Sequence, residues 1–269
     1  MTALPVAGGL AYREVLPESE SLGTLVCLHG WPESSHMFAS VLQATAAAGW
    51  RALAPDLPGY GDSEPDPPAT WPRMVEAVDR FHAALDLGPV ALCVHDWGGL
   101  IGLRWACDHP DAVRALVISD TGFFSDGKWH GLADVLRTPG EGEKLADGMT
   151  PEGLAGALRA VSRGVDDAAL AQYWRAFTTP ERRAGQLELY RSGNFEELQP
   201  YEGRVAALGV PTLLLWGADD PFAPVAGAHR LAAEIPHAQM QVIEGAGHFV
   251  YDDEPQQTSA AVATFLGTL

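Results

Sequence analysis

Four short apolar runs in this chain end on groups able to attack carbon or move a proton. TLVCL (24–28) leads into His29-Gly30-Trp31-Pro32-Glu33-Ser34, and PVALCV (89–94) into His95-Asp96-Trp97-Gly98-Gly99. PTLLLW (211–216) is followed by Gly217-Ala218-Asp219-Asp220, and AQMQVIE (238–244) by Gly245-Ala246-Gly247-His248-Phe249. A carboxylate is ionised at neutral pH and needs no base to attack. An imidazole oriented by a second carboxylate can take a proton from water. In chain order the candidates are Asp96, then Asp219 or Asp220, then His248. Plainer roles exist for each. Asp96 also fits the N-cap of the apolar segment behind it, and His248 also fits an ordinary loop histidine.

The elements that must position these groups alternate. RALAPD (51–56) and VRALVIS (113–119) are two more strand-like runs, and 36–48, 72–86 and 98–109 have helical spacing. Strand, helix, strand, helix implies βαβ units and a parallel sheet. The near-continuous apolar run at 89–94 suits a strand buried on both faces. Ligands of doubly wound sheets bind beyond the carboxyl ends of the strands, where the candidate groups fall. The alternation stops between about Thr121 and Val205, where helical segments mix with turns and no strong strand is seen. It resumes with 211–216, a helix at 224–235, 238–244 and a helix at 255–267. The reading is therefore an α/β core of 1–120 and 206–269, with a helical cap inserted at 121–205.

Composition narrows the function class. The chain has 269 residues, 47% of them hydrophobic, and a formal net charge of −18. One large domain, with a core needing no staples, is expected. Such a charge speaks against a nucleic-acid partner and against docking on anionic membranes. Cys27, Cys93 and Cys107 lack metal-type spacing and read as free thiols. Neither a signal-peptide pattern nor a membrane-spanning run is seen, so a soluble cytoplasmic protein, monomer or homodimer, is expected. No metal or cofactor is expected; the partners are a small apolar substrate and water.

The elbow Val94-His95-Asp96-Trp97-Gly98-Gly99, with Asp220 and His248 after it, makes the chain resemble the α/β-hydrolase superfamily over nearly its full length. Serine is absent from the elbow. Aspartate there resembles the branch that contains epoxide hydrolases and haloalkane dehalogenases. The resemblance implies that Asp96 forms an alkyl-enzyme ester and that His248, oriented by Asp220, activates the water that cleaves it. It also implies an oxyanion hole of the Trp31 and Trp97 backbone N–H groups, one such donor being worth ~3 kcal/mol in a comparable hydrolase. Asp219, Asp252 and Asp253 are expected to face solvent, and Glu33 to be structural or solvent-facing.

Two reactions fit this branch. Epoxide opening needs acids opposite the nucleophile, and GQLELYR (185–191) resembles the epoxide hydrolase segment carrying one tyrosine, which makes Tyr190 that acid. The other tyrosine has no counterpart early in the cap, where Trp129 and His130 stand; Tyr173 is the nearest substitute. Dehalogenation needs N–H donors for a halide, and Trp97 with Trp129, or Trp31, would supply them. The pocket is thus expected to include Trp31, Trp97, Trp129 and Tyr173. The sequence ranks epoxide hydrolysis first and haloalkane dehalogenation as the alternative. A non-catalytic binding protein on the same fold is the more remote reading, disfavoured by the intact Asp96, Asp220 and His248.

Overall fold

The apolar runs become strands, displaced by at most one residue from their expected limits. In the computed structural model, which describes residues 3–269, the strands are β1 (Val6–Ala7), β2 (Leu10–Val15), β3 (Thr24–Leu28), β4 (Arg51–Pro55), β5 (Val90–His95), β6 (Val113–Ser119), β7 (Thr212–Gly217) and β8 (Gln239–Ile243). They form one sheet in the order β1-β2-β4-β3-β5-β6-β7-β8. From β4 to β8 the neighbours are parallel, while β1 and β2 pair antiparallel. Every residue of β5 is buried, as its unbroken apolar run requires. The β1–β2 hairpin is an addition to the expected pattern. Its signal in the sequence is Gly8-Gly9, whose φ values of 57° and 88° suit a two-residue hairpin turn.

Helices α1 (Ala39–Ala47), α2 (Trp71–Ala84) and α3 (Trp97–Asp108) connect the first strands. Between β6 and β7 lie α4 (Gly131–Arg137), α5 (Glu141–Gly148), α6 (Pro151–Arg159), α7 (Asp167–Tyr173), α8 (Pro180–Ser192) and α9 (Arg204–Ala207), with no strand among them. Then come α10 (Ala226–Glu234), α11 (Val250–Asp253) and α12 (Pro255–Leu266). α1 packs on α12 and α2 on α3. This is an α/β-hydrolase fold, with a mostly parallel sheet flanked by helices. No described helix is long and apolar enough to cross a membrane.

α8 matters to the site because it carries Gln186 and Tyr190. Thr179 caps it, accepting from the Arg182 N–H, and Pro180 opens it. Its attachment to the core is polar. The buried Arg182 guanidinium donates to the carbonyls of Gly59 (3.0 Å), Gly61 (3.2 Å) and Ser63 (2.9 Å) in the loop after β4. Nearer its C-terminal end, Glu188 accepts from the Ala69 N–H at 2.7 Å and Ser192 from the Trp71 N–H at 2.8 Å. Arg182→Met would keep the stem and strand three carbonyls. A buried acceptor left unpaired costs about 1–3 kcal/mol. At about 2–4 °C per kcal/mol for a chain approaching this size, the melting temperature is expected to fall by several degrees; an unchanged melt would show that the anchor is idle.

Candidate active site

The β5–α3 turn is the most constrained point of the backbone. Asp96 has φ 48° and ψ −122°, a conformation that a residue with a side chain holds only under compulsion. Three donors hold it: the Asp96 carbonyl accepts from Thr121 Oγ1 (2.7 Å), the Gly99 N–H (2.9 Å) and the Leu100 N–H (3.3 Å). Glycine is obligatory on both sides of the turn. A Cβ on Gly98 would lie 2.1 Å from the Leu28 carbonyl oxygen, and one on Gly30 2.3 Å from the Asp96 Cβ. The Asp96 carboxylate makes no capping bond to α3, so the N-cap reading is excluded. It points away from its helix. Oδ1 accepts the Trp31 backbone N–H at 2.9 Å, and Oδ2 lies 3.3 Å from His248 Nε2. The Trp97 N–H opens α3, where a helix has no internal acceptor.

The other two candidates join it. His248 Nδ1 lies 2.8 Å from Asp220 Oδ2, and Asp220 Oδ1 accepts the N–H groups of Phe222 (2.7 Å) and Ala223 (2.9 Å). Asp219 is exposed, as the sequence reading had it. Burial disfavours the charge on all three groups, but they compensate one another. Against that burial, the hydrogen bond and charge of His248 and the Trp31 N–H hold the Asp96 carboxyl down at about 2. Asp220 is likewise lowered by His248. Flanked by both carboxylates, the His248 imidazole is raised well above its usual value.

Beneath this row lies a buried polar layer. Glu33 is fully buried and accepts the Gly30 N–H at 3.0 Å. His95 lies between Glu33 (3.4 Å) and Asp120 (4.0 Å). Burial raises Glu33 and Asp120 well above the carboxylate range, and burial with the neighbouring His248 drops His95 to about 3. In all three groups burial thus favours the uncharged form.

A cavity opens over Asp96 in two lobes of about 250 and 130 Å³. Trp97 and Trp129 line the larger lobe with rings stacked at 5.4 Å, and Tyr190 stands edge-on to Trp97 at 5.3 Å. Arg137 lies over the Trp129 ring at 5.2 Å, and a Cβ on Gly193 would come within 2.7 Å of Trp97. Burial and the Asp96 charge push the Tyr190 phenol up. Trp31 lines the smaller lobe, but its indole N–H is taken by Gln186 Oε1 at 2.6 Å. Tyr173 corrects the sequence reading. It lines neither lobe, is fully buried, and donates its hydroxyl to Asp252 Oδ2 at 2.8 Å. Among the described residues no cluster of side chains has the makings of a metal site.

Asp253 also departs from expectation, since it is buried rather than solvated. Its Oδ1 accepts from Ser162 Oγ (2.6 Å) and the N–H groups of Arg163 and Gly164 (both 2.9 Å), and its Oδ2 accepts the Gly247 N–H at 2.8 Å. One carboxylate thus ties the helical insertion to the loop that carries His248. Gln186 and Thr121 were likewise not singled out by sequence, because their partners are remote along the chain. Asp120 had a readable signal, an acidic residue directly after the β6 run.

A family model described as alpha/beta hydrolase fold matches residues 23–255. A haloalkane dehalogenase from Mycobacterium marinum is 31% identical over 270 residues, which cover 90% of this chain and 84% of that protein. One from Mesorhizobium japonicum is 29% identical over 263 residues, with the same two shares covered. The solved structure of the haloalkane dehalogenase DatA from Agrobacterium tumefaciens C58 superposes with a TM-score of 0.81 at 27% identity, covering 99% of this chain and 96% of that one. The chain belongs to the α/β-hydrolase family, on its haloalkane-dehalogenase-like branch.

The Asp253 knot can be tested by two substitutions. Asp253→Ala leaves a hydroxyl and three N–H groups without an acceptor, at about 1–3 kcal/mol for each that water cannot reach. Asp253→Asn keeps one acceptor oxygen for residues 162–164 and places an NH2 against the Gly247 N–H. Thermal melts are expected in the order wild type, Asn, Ala. An Ala variant melting with wild type would sink the role assigned to the carboxylate.

Proposed function

We propose that this protein is a haloalkane dehalogenase-type hydrolase, releasing an alcohol and a halide. The observation that carries the proposal is an ionised Asp96 facing a cavity walled by the stacked indoles of Trp97 and Trp129. The names of the related proteins support the same reading, so the order given by sequence alone, with epoxide opening first, is reversed. Asp96 Oδ1 rests on the Trp31 N–H, which leaves Oδ2 to attack. A C–O bond forms as the carbon–halogen bond breaks, and the halide departs with the bonding pair toward the Trp97 and Trp129 N–H donors. His248 then takes a proton from water, whose oxygen adds to Cγ of the Asp96 ester. The Trp31 and Trp97 backbone N–H groups hold the oxyanion. Collapse breaks the bond from Cγ to the substrate oxygen, which leaves as the alcohol with one of the two water protons. The other proton passes through His248 to solvent, so that the carboxylate and the neutral imidazole are restored. Asp220 steadies the imidazolium while it exists. Residues 121–205 act as the cap over the core of 1–120 and 206–269.

The electrostatics separate the half-reactions. Asp96 stays ionised down to about pH 2, whereas His248 must lose its proton before it can serve as base. Acid is therefore expected to stall the second half-reaction first. At pH 5 a quenched mixture should carry an alkyl ester on the peptide containing Asp96, with less of it at pH 8. His248→Gln should accumulate that ester at every pH, with hydrolysis slowed about 10²–10⁴-fold. Turnover that falls in acid with no ester detected would overturn this division of labour.

Epoxide opening remains the second reading because Tyr190 lines the cavity beside Asp96. The two reactions respond oppositely to substitution. A hydrogen bond to a charged group is worth about 1.5–3 kcal/mol, so Trp97→Phe or Trp129→Phe should slow alkylation by a bromoalkane about ten- to a hundredfold. Tyr190→Phe should leave that step within a few-fold of wild type. Styrene oxide-type turnover that exceeds bromide release, and collapses in Tyr190→Phe, would restore the epoxide reading.

A further inference from the structure

The two lobes of the cavity meet at the nucleophile. The larger runs past Thr121, Phe124, Lys128, Phe195 and Pro224, and Lys128 at its side is exposed to solvent. The smaller is walled by Leu132, Leu145, Met149, Leu154, Leu158 and Val161. Asp96, His130, Tyr190, Phe222 and His248 line both. Asp96 thus stands at a junction, with open space on two sides of it.

Each lobe has its own character. At about 130 Å³, the small one is close to the ~150 Å³ apolar cavity that stays dry and takes a benzene ring. Beyond the junction it offers a guest only apolar side chains, so a polar arm would lose its hydrogen bonds there. The large lobe, at about 250 Å³, holds a longer arm and reaches solvent beside a lysine. At the junction, His130 Nδ1 accepts the Ala133 N–H at 3.3 Å, and burial lowers its pKa. The ring is thereby kept neutral with its proton on Nε2, adding no charge to the fork. With its halogen against Trp97 and Trp129, a terminal halide has one chain only, which leaves either the small lobe or most of the large one without contacts and forfeits the dispersion energy of those walls.

From this shape we propose that the substrate is an internally substituted halide: the reacting carbon sits at the fork, an apolar arm no larger than a phenyl ring fills the small lobe, and a longer arm, open to a polar end group, fills the large one. This rests on the displacement reading of the site.

Two isomers of equal size test it, 4-bromooctane and 1-bromooctane. Met149→Trp narrows the small lobe, and Leu158→Phe is a milder second variant should the first fail to fold. One methylene in an apolar pocket is worth about 10–200-fold in kcat/KM. The internal-to-terminal ratio of kcat/KM, read by bromide release, is therefore expected to fall at least about tenfold in the variants. A ratio that stays at the wild-type value overturns the two-armed substrate. Calorimetric binding of octan-4-ol and octan-1-ol reads the same lobes without any reaction. Weaker binding of octan-4-ol in the variants, with octan-1-ol less affected, supports the two arms; equal losses overturn them. Lobe-dependent alcohol binding with no bromide from either isomer would leave the shape standing and sink halide displacement alone.

Discussion

An aspartate at the head of a helix ordinarily turns back to cap it. Asp96 is prevented from doing so by its own backbone. Its positive φ throws the side chain off the helix and toward the fork of the cavity. Strain of this kind costs about 1–3 kcal/mol and persists only where the surroundings over-determine it. Here Thr121, just beyond β6, and the first turn of α3 grip the Asp96 carbonyl, while Gly30 and Gly98 let three segments approach without a Cβ between them. The order of β3, β5 and β6 in the sheet brings these segments side by side. Move the turn, and the Trp31 N–H, His248 and the stacked indoles no longer converge on one oxygen pair.

The second constraint is charge. Asp96, His248 and Asp220 form a row of anion, cation, anion, mutually stabilised against burial. In the layer below, the same burial shifts Glu33, His95 and Asp120 toward their uncharged forms. Any further charge in that layer would act on His248 at close range in a medium that screens poorly. Burial that disfavours charge on Glu33, His95 and Asp120 therefore protects the balance of the row. Esterifying Asp96 would remove one of the anions that raise His248, which lowers the imidazole's hold on its proton at the stage where a base is required.

Much of this could be read from the sequence because it is local. Apolar runs ending in Gly-Trp-Pro, Asp-Trp-Gly-Gly, Ala-Asp-Asp and Ala-Gly-His give the strands and what stands at their tips, and the sheet topology brings Asp96, Asp220 and His248 together. What the sequence hid depends on packing between distant segments. Trp31 and Gln186 are 155 positions apart, and Ser162 and Asp253 are 91 apart. No spacing rule links such pairs. Asp253 looked solvated because acidic residues usually are, yet it binds two loops together. Tyr173 was expected in the pocket, although its helical spacing with Trp174 and Phe177 already pointed to packing.

The placement of Tyr173 outside the cavity bears on the chemistry. Opening an epoxide creates a basic alkoxide that must be given a proton at once, and two phenols sharing the task keep either from becoming a full phenolate. With Tyr173 bound to Asp252, Tyr190 would act alone. Burial and the adjacent Asp96 charge both raise the Tyr190 pKa, so a lone phenolate there would be costly. A halide makes no such demand. It is a weak base that leaves as an anion, and it needs uncharged donors in a dry site. As it forms, Asp96 becomes a neutral ester, so the site's net charge does not change. Indole N–H groups beside a phenol suit that requirement, and a phenol working alone fits alkoxide chemistry less well.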